Sequence, residues 1–163
     1  MTGRKRKAAL KLLLYIMVIA VYVIVIYLFS NQTGSESNSI SKDILKSIGR
    51  LVRSVTGKDF FSNAGLESVN YIFRKLIHFS EYCILAVLLY KLFQLSGFLL
   101  RTRLLLTIGF AFLYASLDEF HQVFIPGRTS RVFDVCIDTS GALLGAIIMY
   151  FIEKGAKSGH PGA

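Results

Sequence analysis

The pattern of hydrophobic and polar positions in this chain is dominated by four long apolar runs. A helix needs about 20 predominantly apolar residues to cross the hydrocarbon core of a bilayer, and each run has that length. The pattern therefore predicts membrane-spanning helices at residues 8–30, 70–93, 103–124 and 132–153. The second run is the most interrupted, because charged and imidazole side chains occupy its first half.

The connection between the first two spans, residues 31–69, carries a second pattern. Apolar residues recur there at helical spacing, and basic residues fill the other faces. This predicts a basic amphipathic helix of about four turns that is capped at its start by Ser39 or Ser41 and ends at Gly57. Beside a membrane span, such a helix usually lies in the lipid headgroup layer. A surface helix of a small lid outside the membrane is the alternative.

Composition agrees with a small integral membrane protein. Hydrophobic residues make up 53% of the chain and its mean hydropathy is +0.54, which is high for a soluble domain. We therefore expect a single all-α membrane domain over residues 1–163, with four transmembrane helices and the amphipathic helix in the first extracytoplasmic loop. Residues 155–163 are rich in glycine and are expected to form a disordered tail.

Basic residues beside the first span indicate the orientation of the chain. Arg4–Lys7 precede an apolar run that is too long for a secretory signal core and has no small-residue cleavage site, so we interpret it as an uncleaved anchor. Such a cluster favours a cytoplasmic N-terminus, because loop charges far from helix ends have little weight. Four spans then place both termini in the cytoplasm of a bacterial cell, in its inner membrane, with Arg101 and Arg103 as cytoplasmic anchors.

Polar and ionisable side chains recur at helical spacing on three of the predicted spans. They are Lys75, His78, Glu81 and Tyr82 on the second span, Asp118, Glu119, His121 and Gln122 on the third, and Asp134 and Asp138 on the fourth. With a cytoplasmic N-terminus, the polar ends of all three spans fall in the extracytoplasmic leaflet. The rim of this cluster is formed by Arg74, Lys75, Arg128 and Arg131. Ionisable groups at membrane depth are costly and usually line a cavity that has a function.

We interpret this cluster as a ligand pocket with candidate acid–base groups. Imidazole and carboxyl groups that share a low-dielectric site can exchange protons, and basic side chains at the rim suit a phosphate. The candidate catalytic residues are His78, Glu81, Asp118, His121 and Asp138. The candidate ligand-binding residues are Lys75, Tyr82, Glu119, Gln122, Arg128, Arg131 and Asp134. No activated serine or cysteine motif accompanies them, so whether the protein is an enzyme stays open.

Structural interpretations of the same residues also stay open. Asp134 would fit an interfacial ion pair with Arg128 or Arg131, and polar groups on different helices can lock a bundle together without binding a ligand. The Gly141-x-x-x-Gly145 spacing on the fourth span allows close approach of another helix, inside the bundle or from a second copy in a homo-oligomer.

No cofactor is predicted. The chain has no glycine-rich phosphate loop, which argues against a nucleotide, and we expect no nucleic-acid partner. A divalent metal held by His78, His121 and neighbouring carboxylates is left open, although no HExxH or similar spacing is present.

Three ordered motifs resemble the VanZ-like family over residues 71–150. They are Lys75-Leu-Ile-His78-Phe-Ser-Glu81-Tyr82, Ser116-Leu-Asp118-Glu119-Phe120-His121-Gln122, and Pro126-Gly127-Arg128 followed by Asp134-Val-Cys-Ile-Asp138-Thr-Ser-Gly141. Family members commonly have Asn where this chain has Asp138, so the chain carries an additional ionisable group. The resemblance implies a small membrane protein that confers low-level resistance to teicoplanin, a glycopeptide with a lipid tail.

Three functional hypotheses follow. The first is an envelope protein whose outer-leaflet pocket binds, and in an enzymatic version modifies, a lipid-linked cell-wall precursor or another anionic envelope component. The second is a non-catalytic protein that binds lipid or glycopeptide and shields the antibiotic's target. The third, which four spans without an internal repeat disfavour, is a proton-linked permease.

Overall fold

The computed structural model describes residues 3–57 and 65–158, with the side chain of Lys157 excepted, and this part of the chain is helical. The helices are α1 (Gly3–Ser30), α2 (Gly34–Thr56), α3 (Leu66–Leu95), α4 (Leu100–Gln122) and α5 (Val132–Ser158). All except α2 are long and apolar enough to cross a membrane. The prediction of an all-α membrane protein with four spans and a further amphipathic helix is therefore confirmed.

Two helix ends differ from the sequence prediction. Helix α1 begins at Gly3, whereas the predicted span begins at residue 8. The basic cluster Arg4–Lys7 is therefore part of the helix and lies in its first turns. Helix α5 continues to Ser158, past Gly155, where the disordered tail was expected to begin. One glycine costs a helix only about 1 kcal/mol, which does not by itself end the helix. Residues 159–163 lie outside the described part of the chain.

Helix α2 begins earlier than the sequence analysis predicted. Its N-cap is Thr33, whose hydroxyl accepts from the Glu36 backbone N–H at 3.3 Å, while the Glu36 carboxylate accepts from the Thr33 backbone N–H at 2.9 Å. The prediction of Ser39 or Ser41 as N-cap is therefore wrong. The predicted end is confirmed, because Gly57 adopts a left-handed φ of 70° and its N–H donates to the Arg53 carbonyl.

The apolar residues of α2 divide between two faces. Leu45 is buried against the bundle together with Ser41, and α2 packs on α3. An ion pair between Lys42 and Glu67 and a 2.6 Å hydrogen bond from Asn70 to Asn38 hold the two helices together. The other apolar residues form a stripe that is exposed in the described structure, at Ile40, Ile44, Ile48, Leu51 and Val55. We call this set the α2 stripe.

Helix α3 is the centre of the bundle, because it packs against each of the other four helices. Its buried residues Tyr82, Leu85 and Ala86 form a core with small residues of α4 and α5, among them Ala111 and Ala142. Small side chains in that core let the helix backbones approach closely.

Glycines of α5 allow its closest contact with α3. A Cβ added at Gly141 would lie 2.1 Å from the backbone oxygen of Phe79, and one at Gly145 would lie 2.3 Å from that of Cys83. The predicted close approach therefore takes place inside the chain. Because α3 already packs on the Gly141/Gly145 face of α5, this face cannot also contact a second copy of the chain in the homo-oligomer that the sequence analysis considered.

A buried charge network joins α3, α4 and α5 at one end of the bundle. Arg103 is only 8% exposed, forms an ion pair with Glu153, and donates to the Tyr90 hydroxyl at 3.4 Å and the Phe98 carbonyl at 3.0 Å. Arg103 was predicted to be a cytoplasmic anchor at the membrane surface, but it is a buried partner of Glu153. Its neighbour Arg101 is exposed.

Candidate functional site

The opposite end of the bundle, where α1 and α4 end and α3 and α5 begin, carries the predicted polar cluster. We call it the site end. The loop between α4 and α5 is fixed there onto the end of α1, because Arg128 donates from Nε to the Gln32 carbonyl at 3.0 Å and from Nη2 to the Phe29 carbonyl at 2.9 Å. These carbonyls lie at and just beyond the C-terminus of α1, where a cation is favourable.

A close backbone contact fixes the same loop onto the start of α2. The Gly34 N–H donates to the Pro126 carbonyl at 3.0 Å, and a Cβ on Gly34 would lie only 1.9 Å from the Gly127 oxygen. Gly127 itself has a φ of 73°, a left-handed conformation that favours glycine. The turn Pro126-Gly127-Arg128 therefore positions the Arg128 side chain among α1, α2 and α3.

Two further contacts bring the polar ends of α3, α4 and α5 together. Lys75 of α3 pairs with Asp134 of α5, with 2.5 Å between Nζ and Oδ1. The Glu119 carboxylate of α4 accepts from the Arg131 backbone N–H, just before α5, at 3.1 Å. The three polar faces that the sequence analysis identified on separate spans thus meet at one end of the bundle.

Two adjoining cavities open at the site end. The larger has a volume of about 240 Å³, lies beneath α2 and has a largely apolar lining that includes Phe29, Ile40, Ile44 and Ile77. The smaller has a volume of about 120 Å³ and a largely polar lining, which includes Lys75, Glu119, Gln122, Thr129 and Asp134. The residues that line both cavities are Arg74, His78 and Arg128.

Positive charge is concentrated at this shared wall. Burial, and next the positive charge of Arg74, lower the pKa of the Arg128 guanidinium from its ordinary value, while the carboxylates of Asp118, Glu119 and Glu81 oppose that shift. An arginine remains protonated at neutral pH even so. The shared wall therefore holds two guanidinium groups that repel each other.

Most of the predicted site residues line these cavities. Glu81 lines the larger one and lies 3.7 Å from His78, measured from Oε2 to Nδ1. The predicted residues with a place in either lining are Lys75, His78, Glu81, Glu119, Gln122, Arg128 and Asp134. The structure thus brings together two candidate catalytic residues and five candidate ligand-binding residues.

Three predicted residues lie behind the cavity walls. Asp118 is buried and accepts a 3.0 Å hydrogen bond from Gln122. Tyr82 is fully buried, and its ring lies against that of Tyr114. Asp138 is 1% exposed, and neither of its carboxyl oxygens has a hydrogen-bond partner in the described part of the chain. These residues would act on a ligand in the cavities only through the residues in front of them.

His121 and Arg131 lie apart from both cavities. His121 faces α1, where its ring packs against Tyr27 at a centroid distance of 5.2 Å and its Nε2 lies 3.3 Å from the Asn31 side chain. The Arg131 residue is exposed, and its contact with Glu119 is made by its backbone. The buried face of α4 is formed instead by Asp118, Glu119 and Gln122.

The sequence analysis placed Arg74 at the rim of the polar cluster but did not count it among the ligand-binding residues. Arg74 lines both cavities, and it lies one turn before His78 on α3, so the helical spacing that selected His78 was also a signal for Arg74. The apolar contribution of α2 had no such signal, because only the fold places Ile40 and Ile44 above α3.

No group of three or more His, Cys, Asp or Glu side chains in the described residues is arranged to hold a metal ion. His78 and His121, which the sequence analysis considered as metal ligands, face different helices. The cavity residues offer acid–base groups and cations for binding an anion.

Asp138→Asn is expected to stabilise the protein by about 1–3 kcal/mol, because a buried carboxyl group without a hydrogen-bond donor is costly. The carboxylates of Glu119, Asp118, Asp134 and Glu81 also repel a negative charge at this position, and an amide carries none. The fraction of monodisperse protein after heating, measured by size-exclusion chromatography, should rise. Asp43→Asn, at an exposed position on α2, is the matched control and should leave stability unchanged. A lower stability of the Asp138 variant would contradict the conclusion that the Asp138 carboxyl group is buried without a hydrogen-bond partner in the described structure.

Comparison with known proteins gives the family. No curated protein and no solved structure matches the chain. The family profile described as VanZ/LLP1 matches residues 12–153, which covers most of α1 and all of α2, α3 and α4, together with α5 through Glu153. The matched region contains every residue that lines the two cavities. The chain therefore belongs to the VanZ/LLP1 family.

Proposed function

We propose that the protein binds, and chemically modifies, a lipid-linked or anionic component of the cell envelope in an outer-leaflet pocket formed by the two cavities. The observation that carries the proposal is the shared wall of Arg74, His78 and Arg128 between an apolar and a polar cavity. An amphiphilic molecule with a hydrocarbon part, an anionic group and a polar head matches this arrangement. The hydrocarbon part would lie in the apolar cavity, the anionic group at the shared wall and the head in the polar cavity.

The geometry supports acid–base chemistry at the same wall. His78 and Glu81 lie within 3.7 Å of each other, and both side chains are partly accessible from the larger cavity. An imidazole beside a carboxylate can take up a proton from a bound hydroxyl group and return it to a leaving group. In this proposal, His78 contacts the ligand, and the Glu81 carboxyl acts on the imidazole through its charge, because 3.7 Å is longer than a hydrogen bond.

Membership in the family links the chain to teicoplanin resistance. A pocket for an envelope component in the outer leaflet would act where a lipid-tailed glycopeptide binds. The α2 stripe supports a position of the pocket at the membrane surface, since an exposed row of large apolar side chains on a basic helix suits the headgroup layer.

Resistance measurements test the proposal. In a teicoplanin-susceptible Gram-positive host, the wild-type chain should raise the minimum inhibitory concentration. His78→Ala and Glu81→Gln should return it to the level of the empty vector. Asp43→Asn, which removes an exposed carboxylate outside the site, should keep the wild-type value. The proposal is wrong if the His78 and Glu81 variants, at equal abundance in the membrane, protect as well as the wild type.

A non-catalytic binding protein is the second candidate. It is favoured by the polar contacts that already occupy Lys75, Asp134 and Glu119 within the chain. Lipid and muropeptide profiles of cells with and without the protein separate the two. A species that appears or disappears with the wild type but not with His78→Ala supports modification. Identical profiles together with retained resistance support binding alone.

A proton-linked permease has less support. The bundle is filled between its two ends by packed side chains, which include Leu85, Ala86, Ala111 and Ala142. A permease should acidify or alkalise the lumen of liposomes that contain the purified protein when a pH gradient is imposed. We expect no flux above that of protein-free liposomes.

A further inference from the structure

We propose that Arg74 and Arg128 form a fork for the phosphate of a membrane amphiphile whose hydrocarbon chain lies beneath α2. This inference rests on the proposed function and specifies its ligand as a phosphate-linked lipid with a hydroxyl-bearing head. It assigns a binding role to Arg74, which the sequence analysis placed only at the rim of the site.

Arg74 is a cation without a counterion among the described residues. Its side chain is half-buried, and it forms no hydrogen bond or ion pair with any part of the chain that the structure describes. Its nearest basic neighbours behave differently, because Lys75 pairs with Asp134 and Arg128 donates to two backbone carbonyls. Arg74 therefore keeps its donors free for a ligand.

The repulsion between Arg74 and Arg128 favours an anion between them. Their mutual effect is the largest electrostatic contribution to the lowered pKa of Arg128 after burial. Two guanidinium groups in the wall shared by the cavities offer several N–H donors to the oxygens of one tetrahedral anion. Arginine side chains commonly bind phosphate through such sets of parallel N–H donors. A bound phosphate would replace the repulsion by two charge-assisted contacts.

The larger cavity gives the direction of the hydrocarbon chain. Besides Arg74 and Arg128, its lining includes Phe29, Ile77, and Ile40 and Ile44 of α2. Ile40 and Ile44 also belong to the exposed α2 stripe, so the cavity reaches the surface of the bundle beside α2. A lipid chain can therefore pass from the pocket into the surrounding bilayer without crossing the protein core.

The smaller cavity gives the chemistry of the head. Its volume of about 120 Å³ and its mixture of acidic, amide and hydroxyl side chains suit a small group with several hydroxyls. Glu119, Gln122 and Thr129 would accept and donate hydrogen bonds to such a group. A glycerol or sugar attached through the phosphate fits this description, whereas a bulky trimethylammonium head without donors does not.

Lipid retention by the full-length protein tests this inference. The probe is phosphatidylglycerol at 10 mol% (roughly one lipid in ten) in phosphatidylcholine nanodiscs, and bound lipid is counted by native mass spectrometry after release. The wild type should retain phosphatidylglycerol and release diacylglycerol, which has no phosphate. Arg74→Gln should lower the apparent affinity about tenfold, the loss expected for one charge-assisted contact. Arg74→Lys, which keeps the charge but not the fork, should fall between the two.

Matched variants identify each part of the pocket. Arg50→Gln removes an exposed arginine of α2 that lines neither cavity, and it should retain lipid as the wild type does. Ile77→Trp should fill the larger cavity and release the lipid while the protein stays monodisperse. Competition with inorganic phosphate distinguishes a free anion from a lipid, since a site for free phosphate would lose phosphatidylglycerol at millimolar phosphate.

Unchanged retention by Arg74→Gln would overturn the fork, and so would displacement of the lipid by inorganic phosphate. Either result leaves the proposed function intact if His78→Ala still abolishes resistance. Retention of no envelope lipid by the wild type, together with full resistance of His78→Ala, would instead remove the proposed function itself. The two failures are therefore distinguishable.

Discussion

Gly141→Ala is expected to destabilise the bundle by at least about 1–3 kcal/mol, because its new Cβ would lie 2.1 Å from the backbone oxygen of Phe79. The atoms that a new Cβ would meet belong to the α3 backbone, which cannot change rotamer as a side chain can. The clash could therefore be relieved only if α3 and α5 moved apart. Since α3 packs against every other helix, that separation would affect the core and the site end together. Heating in detergent followed by size-exclusion chromatography should show loss of the monodisperse peak at a lower temperature.

Gly109→Ala is the matched control for this effect. Gly109 lies in α4, and a Cβ at this position would meet nothing within 4 Å. Alanine is favoured over glycine in a helix by about 1 kcal/mol, so this variant should be as stable as the wild type or slightly more stable. Equal melting of the Gly141 and Gly109 variants would contradict the close packing of α5 on α3.

Arg103→Met is expected to have the second large effect, a loss of about 3–5 kcal/mol, since it removes the buried guanidinium that forms an ion pair with the Glu153 carboxylate. The same substitution removes the donors to the Tyr90 hydroxyl and the Phe98 carbonyl. Yield of folded protein from the membrane and resistance to heating should both fall. The site end lies at the far end of the bundle, so protein that does fold should bind its ligand as the wild type does.

Two comparisons make this result specific. Arg101→Met changes the exposed arginine two residues earlier and should cost almost nothing. Arg103→Met combined with Glu153→Gln should be more stable than Arg103→Met alone, because the second change removes a buried negative charge that has lost its arginine. Additive losses in the double variant would show that the two side chains contribute independently, contrary to the ion pair.

The spans and the convergence of the polar faces could be predicted because both depend on local periodicity. Helical spacing alone identified Lys75 and His78 on α3 and Asp134 on α5, and membrane topology then brought the helix ends to one side. The start of α2 was also readable. Thr33-x-x-Glu36 matches the capping-box pattern that marks a helix start. Because the residues between it and Ile40 are polar, the apolar periodicity begins only at Ile40, and the predicted start was placed too late.

Burial of a particular polar residue could not be predicted in the same way. Arg103 becomes buried because Glu153, 50 positions later in the chain, returns to the same end of the bundle. His121 does not line the cavities, because α1 packs beside α4 and His121 lies on the side of α4 that contacts Tyr27 and Asn31. Both outcomes depend on which helices are neighbours, and no window of sequence around either residue contains that information.

The proposed function requires the site end of the bundle to face the outside of the cell. Thr129 is an exposed residue of the smaller cavity, and Lys154 is exposed near the opposite end of the bundle. Thr129→Cys and Lys154→Cys, each in a chain with Cys83→Ala and Cys136→Ala, allow both ends to be probed with a membrane-impermeant maleimide. We expect intact cells to label the cysteine at position 129, and the cysteine at 154 to react only after permeabilisation. Labelling of position 154 but not 129 in intact cells would contradict the outer-leaflet pocket.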